Sequence, residues 1–346
     1  MSIAIIDPLT DSRYRTFIEQ HPQATIFHTP EWMQVLADSY RFKSVAYAVL
    51  NNDSITGIIP FCETKNITGK KRLVSLPFSD FCNPLFDDSN HFFEAFNAVK
   101  NHAQNQKWKY LELRGGDIYF TEEATPYTTI FTHTIDLHLE ENTLFSSLRS
   151  STQRNIRKAE RAKLEYSFES SYSAVLQFYH LNCMTRREHG VPPQPLTFFK
   201  NLYKIVIEKK MGGIALISFN KNIIAAGVYL FFNGYAFYKY GASDKQFQHL
   251  RPNDALMWNS IKYCRNRGVK SLNLGRTELH HTGLLQFKRG WNSIESTKKY
   301  YRISVPSWLF ITDTHQNNIQ LFSKIVIKMP IVFLRLLGKI IYPFIG

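Results

Sequence analysis

The chain has 346 residues, 44% hydrophobic and 20% charged, enough for two packed domains and against global disorder. Its formal net charge of +14 favours polyanionic partners: nucleic acid, nucleotide phosphates or an anionic membrane face. Cys62, Cys82, Cys183 and Cys264 form no CxxC spacing, which argues against a zinc site or disulfide framework and for a reducing cytoplasm.

The N-terminus lacks a basic stretch followed by an apolar one, so no secretion signal is expected. No charge-free apolar run of about 18 residues occurs, so no standard membrane span is expected either.

Taken in chain order, the first clear element is a hairpin over residues 44–64, two β-rich runs around Asn51-Asn52-Asp53. Residues 97–115 then read as a polar helix end followed by a short strand. Both recur roughly 160–170 residues further on. Residues 212–232 are a second hairpin around Asn220-Lys221-Asn222, and residues 259–276 a second helix end and strand. This order predicts two copies of one α/β unit. Between them, helical patterns cover 143–163, 173–187 and 197–210. Strands follow near 213–219, 223–231 and 234–241. A helix starts after Pro252 and stops at Gly268, and strands at 269–274 and 297–304 complete the second copy. Alternating helices and strands imply mixed sheets flanked by helices. The expected divisions are 1–142, 143–306 and a tail of 307–346.

The tail has no Asp or Glu from Thr314 onward. Lys324, Lys328, Arg335 and Lys339 fall on one narrow arc of an ideal helix among Leu, Ile, Val and Phe. Pro330 should kink or split it. This pattern predicts a basic amphipathic helix lying on an anionic membrane; the alternative is a helix packed on the first domain with its lysines in water.

Several motifs together resemble the FemAB-like acyltransferases, which include peptidoglycan interpeptide-bridge enzymes and exopolysaccharide-associated relatives. The carriers are Asn253-x-Ala-Leu-x-Trp258, Asn273-Leu-Gly-Arg276 and the run from Gly283 to Trp291. Phe27-His-Thr-Pro-Glu-Trp32, Leu76-Pro-Phe78 and the basic stretch from Leu148 to Ala159 also match. The resemblance implies an α/β chain of two tandem Gcn5-related N-acetyltransferase-like domains. It implies that the Phe287-Lys288 pair meets an acyl or aminoacyl donor. Aminolysis of an ester or thioester passes through an oxyanion, which the Lys288 ammonium, taken as partly exposed, would stabilise. Phe287 would stack on a base or exclude water; the alternatives are a core phenylalanine and a surface lysine.

Arg154, Arg157, Lys158 and Arg161 share one helical face suited to tRNA or pyrophosphate phosphates, or simply to water. Arg186 and Arg187 resemble the region that binds acceptor phosphates in relatives. Before Asn253, the place of a glycine-rich phosphate turn holds 246–252 without glycine, which weakens an acyl-CoA donor and leaves Arg251 to reach phosphate. Arg276 completes the set. Candidate bases are Glu278, His280, His281 and Asp254. The adjacent histidines lack metal-ligand spacing, so no metal is assigned, and no cofactor is required. Trp32 is not followed by the lysine that holds acceptor phosphates in some bridge-forming enzymes, which counts against a peptidoglycan-precursor acceptor.

The expected function is transfer of an acyl or aminoacyl group to an amine of an envelope precursor, a peptidoglycan stem or an amino sugar. The donor would be aminoacyl-tRNA, acyl-CoA or an acyl carrier, and the place the cytoplasmic face of the membrane. The competing reading is a catalytically silent membrane-associated scaffold for envelope polysaccharide assembly. DNA binding is not expected, since no recognition motif accompanies the charge.

Overall fold

The computed structural model describes residues 1–120, 124–305, 307–312 and 319–346. The chain divides into two compact units. Unit 1 holds Met1–Ile130, Thr297–Gln316 and Ile341–Gly346; unit 2 holds Phe131–Ser296 and Asn317–Ile340. Of the described residues after 306, 307–312 and 341–346 fall in unit 1 and 319–340 in unit 2.

In unit 1, β1 (Ser2–Ile6), α1 (Ser12–Gln20) and α2 (Pro30–Tyr40) precede the hairpin β2 (Lys43–Asn51) and β3 (Ser54–Lys65). Then come β4 (Lys71–Val74), β5 (Leu85–Phe86), α3 (Phe92–Asn105) and β6 (Tyr110–Arg114). The unit's strand order is β1-β2-β3-β4-β6-β13, where β13 is Ile294–Ser304. Phe92, Phe96 and Val99 of α3 pack on Tyr47, Phe61 and Leu111 of this sheet. Within the core, the Glu112 carboxylate is 3.0 Å from Arg114 and 2.6 Å from Arg302. Burial raises its pKa, but the two guanidiniums outweigh burial and hold it at about 2.

The first-copy signatures shape this unit. Thr29 caps α2 by accepting from the Trp32 N–H at 3.2 Å, and Pro30 occupies the first turn. Buried Glu31 is 2.7 Å from Arg15. His28, fully buried, bonds Thr25 and the Asn83 carbonyl, and burial lowers its pKa to about 4.

Unit 2 is built in the same order. β7 (Thr128–Asp136) leads to α4 (Glu141–Ser147), α5 (Ser150–Arg161), β8 (Glu165–Glu169), α6 (Tyr172–Glu188) and α7 (Leu196–Leu202). The hairpin β9 (Gly212–Phe219) and β10 (Asn222–Phe232) is followed by β11 (Tyr235–Ser243), α8 (Pro252–Asn266), β12 (Ser271–Glu278) and α9 (Thr282–Arg289). The strand order is β7-β12-β11-β10-β9-β8. Trp258, Leu256 and Ile261 of α8 cover Tyr229, Ala225 and Leu272.

The duplication holds down to the turns. Both hairpins close on two non-glycine residues at positive φ: Asn52 and Asp53 at 47° and 67°, Asn220 and Lys221 at 50° and 66°. That geometry suits the right-handed strand twist and favours Asn and Asp. In each unit the helix after the hairpin leads to a strand parallel to the one before it, β6 to β4 and β12 to β11.

Three expectations change. The helix expected over 143–163 is two helices, because the Arg149 N–H turns to bond the Gly290 carbonyl at 3.1 Å. The edge strand β8, too polar to stand out, was not expected. The tail splits at Pro330 into α10 (Ile319–Lys328) and α11 (Ile331–Ile345), but it does not lie free. In unit 2, Ser323 bonds the Gly190 carbonyl at 3.0 Å, Val326 and Leu334 are buried, and Arg335 lies over the Tyr179 ring. In unit 1, Arg72 donates to the carbonyls of Phe344 and Gly346, both at 2.7 Å, and Tyr342 is buried. The opposite side stays apolar and basic: Ile325, Val332, Phe333, Leu336 and Ile340 are exposed beside Lys324, Lys328 and Lys339.

Candidate active site

β11 pairs with β12 only from Tyr235↔Ser271 to Phe237↔Asn273, although β11 runs on to Ser243 and β12 to Glu278. Beyond Asn273 the ladder stops and the sheet of unit 2 opens. An opening at the carboxyl ends of parallel strands is where open α/β sheets take ligands.

Side chains from three helices fasten the edges of this opening. On the β11 side, Thr185 of α6 bonds both the N–H and the carbonyl of Ser243, each at 3.2 Å. Asn253, in the first turn of α8, donates to the Ser243 hydroxyl at 3.1 Å. On the β12 side, Gly275 takes a φ of 75° and its N–H bonds the Asn273 side chain at 2.8 Å. The bend turns the carbonyls of Gly275 and Arg276 toward α9, where the Lys288 ammonium donates to them at 2.7 and 3.1 Å.

Lys288 is thus 3% exposed, not a partly exposed side chain. Its charge is held by backbone dipoles at the point where the strands diverge. Nearby, fully buried His133 of β7 bonds Glu295 at 2.8 Å. Burial lowers the pKa of His133, and Lys288 and Arg289 push the same way against Glu295. Phe287 is half-buried, packs on the unit 2 core and meets Trp291 edge-on at 5.9 Å. The core alternative fits Phe287; the surface alternative does not fit Lys288.

The start of α8 carries the anion-binding features. Arg251, exposed, enters the helix at φ 62°, a left-handed conformation that glycine usually fills, after a 3₁₀ turn over Lys245–Leu250. A helix N-terminus carries partial positive charge. Asn155 of α5 donates to Asp254 at 3.3 Å and docks the basic helix beside this end. Burial raises the Asp254 pKa, opposed by Asn155 and Arg251. Arg154, Arg157, Lys158 and Arg161 all face solvent on α5, with Thr152, Ile156 and Ala159 turned inward. Arg157 and Arg161 line a shallow groove with Glu160.

Arg251 and Asn253 thus stand on the β11 side of the opening, while α5, its basic residues in solvent, is joined both to α8 through Asn155 and to Gly290 after α9 through the Arg149 N–H. Lys288 and exposed Arg276 stand on the β12 side. Arg186 and Arg187, half-buried, follow Thr185 at the end of α6, next to the pinned end of β11. Of the candidate bases, Asp254 sits within this arrangement, while Glu278, His280 and His281 gather on the turn after β12. Thr185, Ser243, Asn155, Asn273 and Gly275 escaped sequence reading. Only the Asn-Leu-Gly-Arg motif hinted at the last two.

Residues 146–289 match the family model for the acetyltransferase (GNAT) domain. The chain is similar to the lipid II:glycine glycyltransferase of Staphylococcus haemolyticus (strain JCSC1435), at 32% identity over 100 residues. That match covers 27% of this chain and only 24% of the relative. Among solved structures, the crystal structure of FemX aligns over 87% of this chain and 97% of its own, with a TM-score of 0.68 at 15% identity. A tandem GNAT protein from the clavulanic acid biosynthesis pathway aligns over 88% of this chain and 98% of its own, with a TM-score of 0.53 at 8% identity. Residues 146–289 therefore match an acetyltransferase (GNAT) domain, and the solved structures share the tandem fold. The likeness to FemX extends this to the fold of nearly the whole chain, and the glycyltransferase likeness is confined to about a quarter of each protein.

Proposed function

We propose that the chain is an acyltransferase that forms an amide on an amine of a cell-envelope precursor, with its reacting centre in the β11–β12 opening of unit 2. The observation that carries this is the Lys288 ammonium fixed at that opening by the carbonyls of Gly275 and Arg276. The match of residues 146–289 to an acetyltransferase (GNAT) domain supports the reaction class, and the similarity to the glycyltransferase supports an aminoacyl group.

In the reaction, the amine nitrogen attacks the carbonyl carbon of an ester or thioester. The carbonyl oxygen takes the negative charge, and Lys288 lowers the energy of that oxyanion. The carbon–oxygen or carbon–sulfur bond then breaks as the amide forms, and the proton lost by the amine ends on the leaving group. Asp254, whose pKa burial raises, is assigned to carry that proton. The donor's phosphates are held by Arg251, the start of α8 and the α5 stripe. Aminoacyl-tRNA fits an extended basic face better than acyl-CoA fits a turn without glycine, where side chains keep phosphates away from the backbone. Arg186, Arg187 and Arg276 are assigned to phosphates of the acceptor.

Among the described residues no helix is long and apolar enough to cross a membrane. The exposed apolar and basic side of α10 and α11 is assigned to an anionic membrane surface, which would bring a lipid-linked acceptor to the enzyme. The reading is tested with purified protein, a pool of radiolabelled aminoacyl-tRNAs, and lipid-linked and amino-sugar acceptors. Label in an alkali-stable, amide-linked product supports it. Donor that is neither bound nor consumed favours the scaffold.

A further inference from the structure

The turn after β12 holds three ligand-type side chains that amide formation does not use. Glu278 ends the strand, and His280 and His281 follow before α9. The His281 N–H bonds the Glu278 carbonyl at 3.0 Å, closing a tight turn. That turn sets the two imidazoles side by side, with ring centroids 4.2 Å apart. Each Nε2 lies 3.6 Å from the same Glu278 carboxylate oxygen. One ligand atom from each of the three residues lies within 4.8 Å of the others. Donors bound to one tetrahedral zinc at about 2.0–2.2 Å stand roughly 3.3 Å apart, so small side-chain rotations complete the geometry.

The backbone of the turn is anchored, because Lys288 ties the preceding residues Gly275 and Arg276 to α9. Two imidazoles and one carboxylate suit zinc and similar d-block ions. Magnesium and calcium prefer all-oxygen shells.

We propose that Glu278, His280 and His281 form a binding site for a zinc-class divalent cation, with the remaining coordination open to water. The site lies two residues beyond Arg276, at the rim of the β11–β12 opening. It requires no assumption about the reaction carried out there.

The test uses the full chain, stripped with chelator and titrated with ZnCl2 against a chromogenic zinc chelator. Co2+ serves as a second, spectroscopically visible probe. One equivalent of zinc should bind in competition with the chelator. His280→Ala and His281→Ala should each weaken binding at least about tenfold, and Glu278→Gln should also weaken it. All three side chains are substantially exposed, so the variants should melt with the wild type. Exposed His249, on another loop, is the control, and His249→Ala should bind as wild type does. The site is refuted if the wild type and a His280→Ala/His281→Ala double variant take up zinc equally, or if neither takes up any.

Discussion

Substituting Lys288 by alanine should damage stability and catalysis separately. The ammonium donates to the Gly275 and Arg276 carbonyls, the first buried and the second partly so. Each buried acceptor left without a donor costs about 1–3 kcal/mol, and the partly buried one recovers some of this from water. Loss of both bonds should destabilise unit 2 by roughly 2–4 kcal/mol, partly offset because burying a charge is itself costly. For a folding unit of this size, each kcal/mol lowers Tm by about 2–4 °C, so a drop of roughly 4–16 °C is expected by scanning fluorimetry. Turnover is then measured well below the variant's Tm. There kcat should still fall roughly 10²-fold or more if the ammonium stabilises the oxyanion. A Tm within about 2 °C of wild type would refute the anchoring role. Wild-type turnover in the folded variant would refute the catalytic one.

Three further outcomes follow from other parts of the molecule. Glu112 has a folded pKa of about 2 against an ordinary 4.5, so its contribution is complete above pH 4.5 and is lost as pH falls toward 2. Urea unfolding across that window should show roughly 3 kcal/mol of acid-labile stability that Glu112→Gln lacks, and equal pH slopes would count against the Arg114–Glu112–Arg302 account. Reversing Arg154, Arg157 and Arg161 to Glu should remove most donor binding and flatten its salt dependence; normal binding by this variant would leave the stripe as a solvated face. Val332, Phe333 and Leu336 are exposed, so changing all three to Glu should abolish co-sedimentation with anionic vesicles at unchanged Tm. Retained binding would remove the tail as the membrane contact.

The duplicated hairpins were readable because polar, Asn-rich turns between β-rich runs carry their own geometry. The split between α4 and α5 was not, because it depends on the Arg149 N–H meeting Gly290, more than a hundred residues away in the chain. Lys288 looks like surface charge in any window of sequence. It is buried because Gly275 bends β12 and leaves carbonyls that only a distant donor can satisfy. Thr185 and Ser243 shape the opening through backbone contacts that no spacing records. The tail's charge arc was visible in the sequence, but the packing of its other side against Gly190 and Arg72 was not. Adjacent histidines such as His280 and His281 rarely face one ligand and show no metal-ligand spacing in sequence, but in this turn each Nε2 lies 3.6 Å from Glu278.

The central claim is amide formation on an envelope amine, and mass spectrometry of envelope precursors and glycans tests it most directly. A strain lacking this chain should lack one amide-linked acyl or aminoacyl group, and the wild-type chain should restore it. Identical amide substitution with and without the chain would contradict the account, even if the amount of envelope polysaccharide changed.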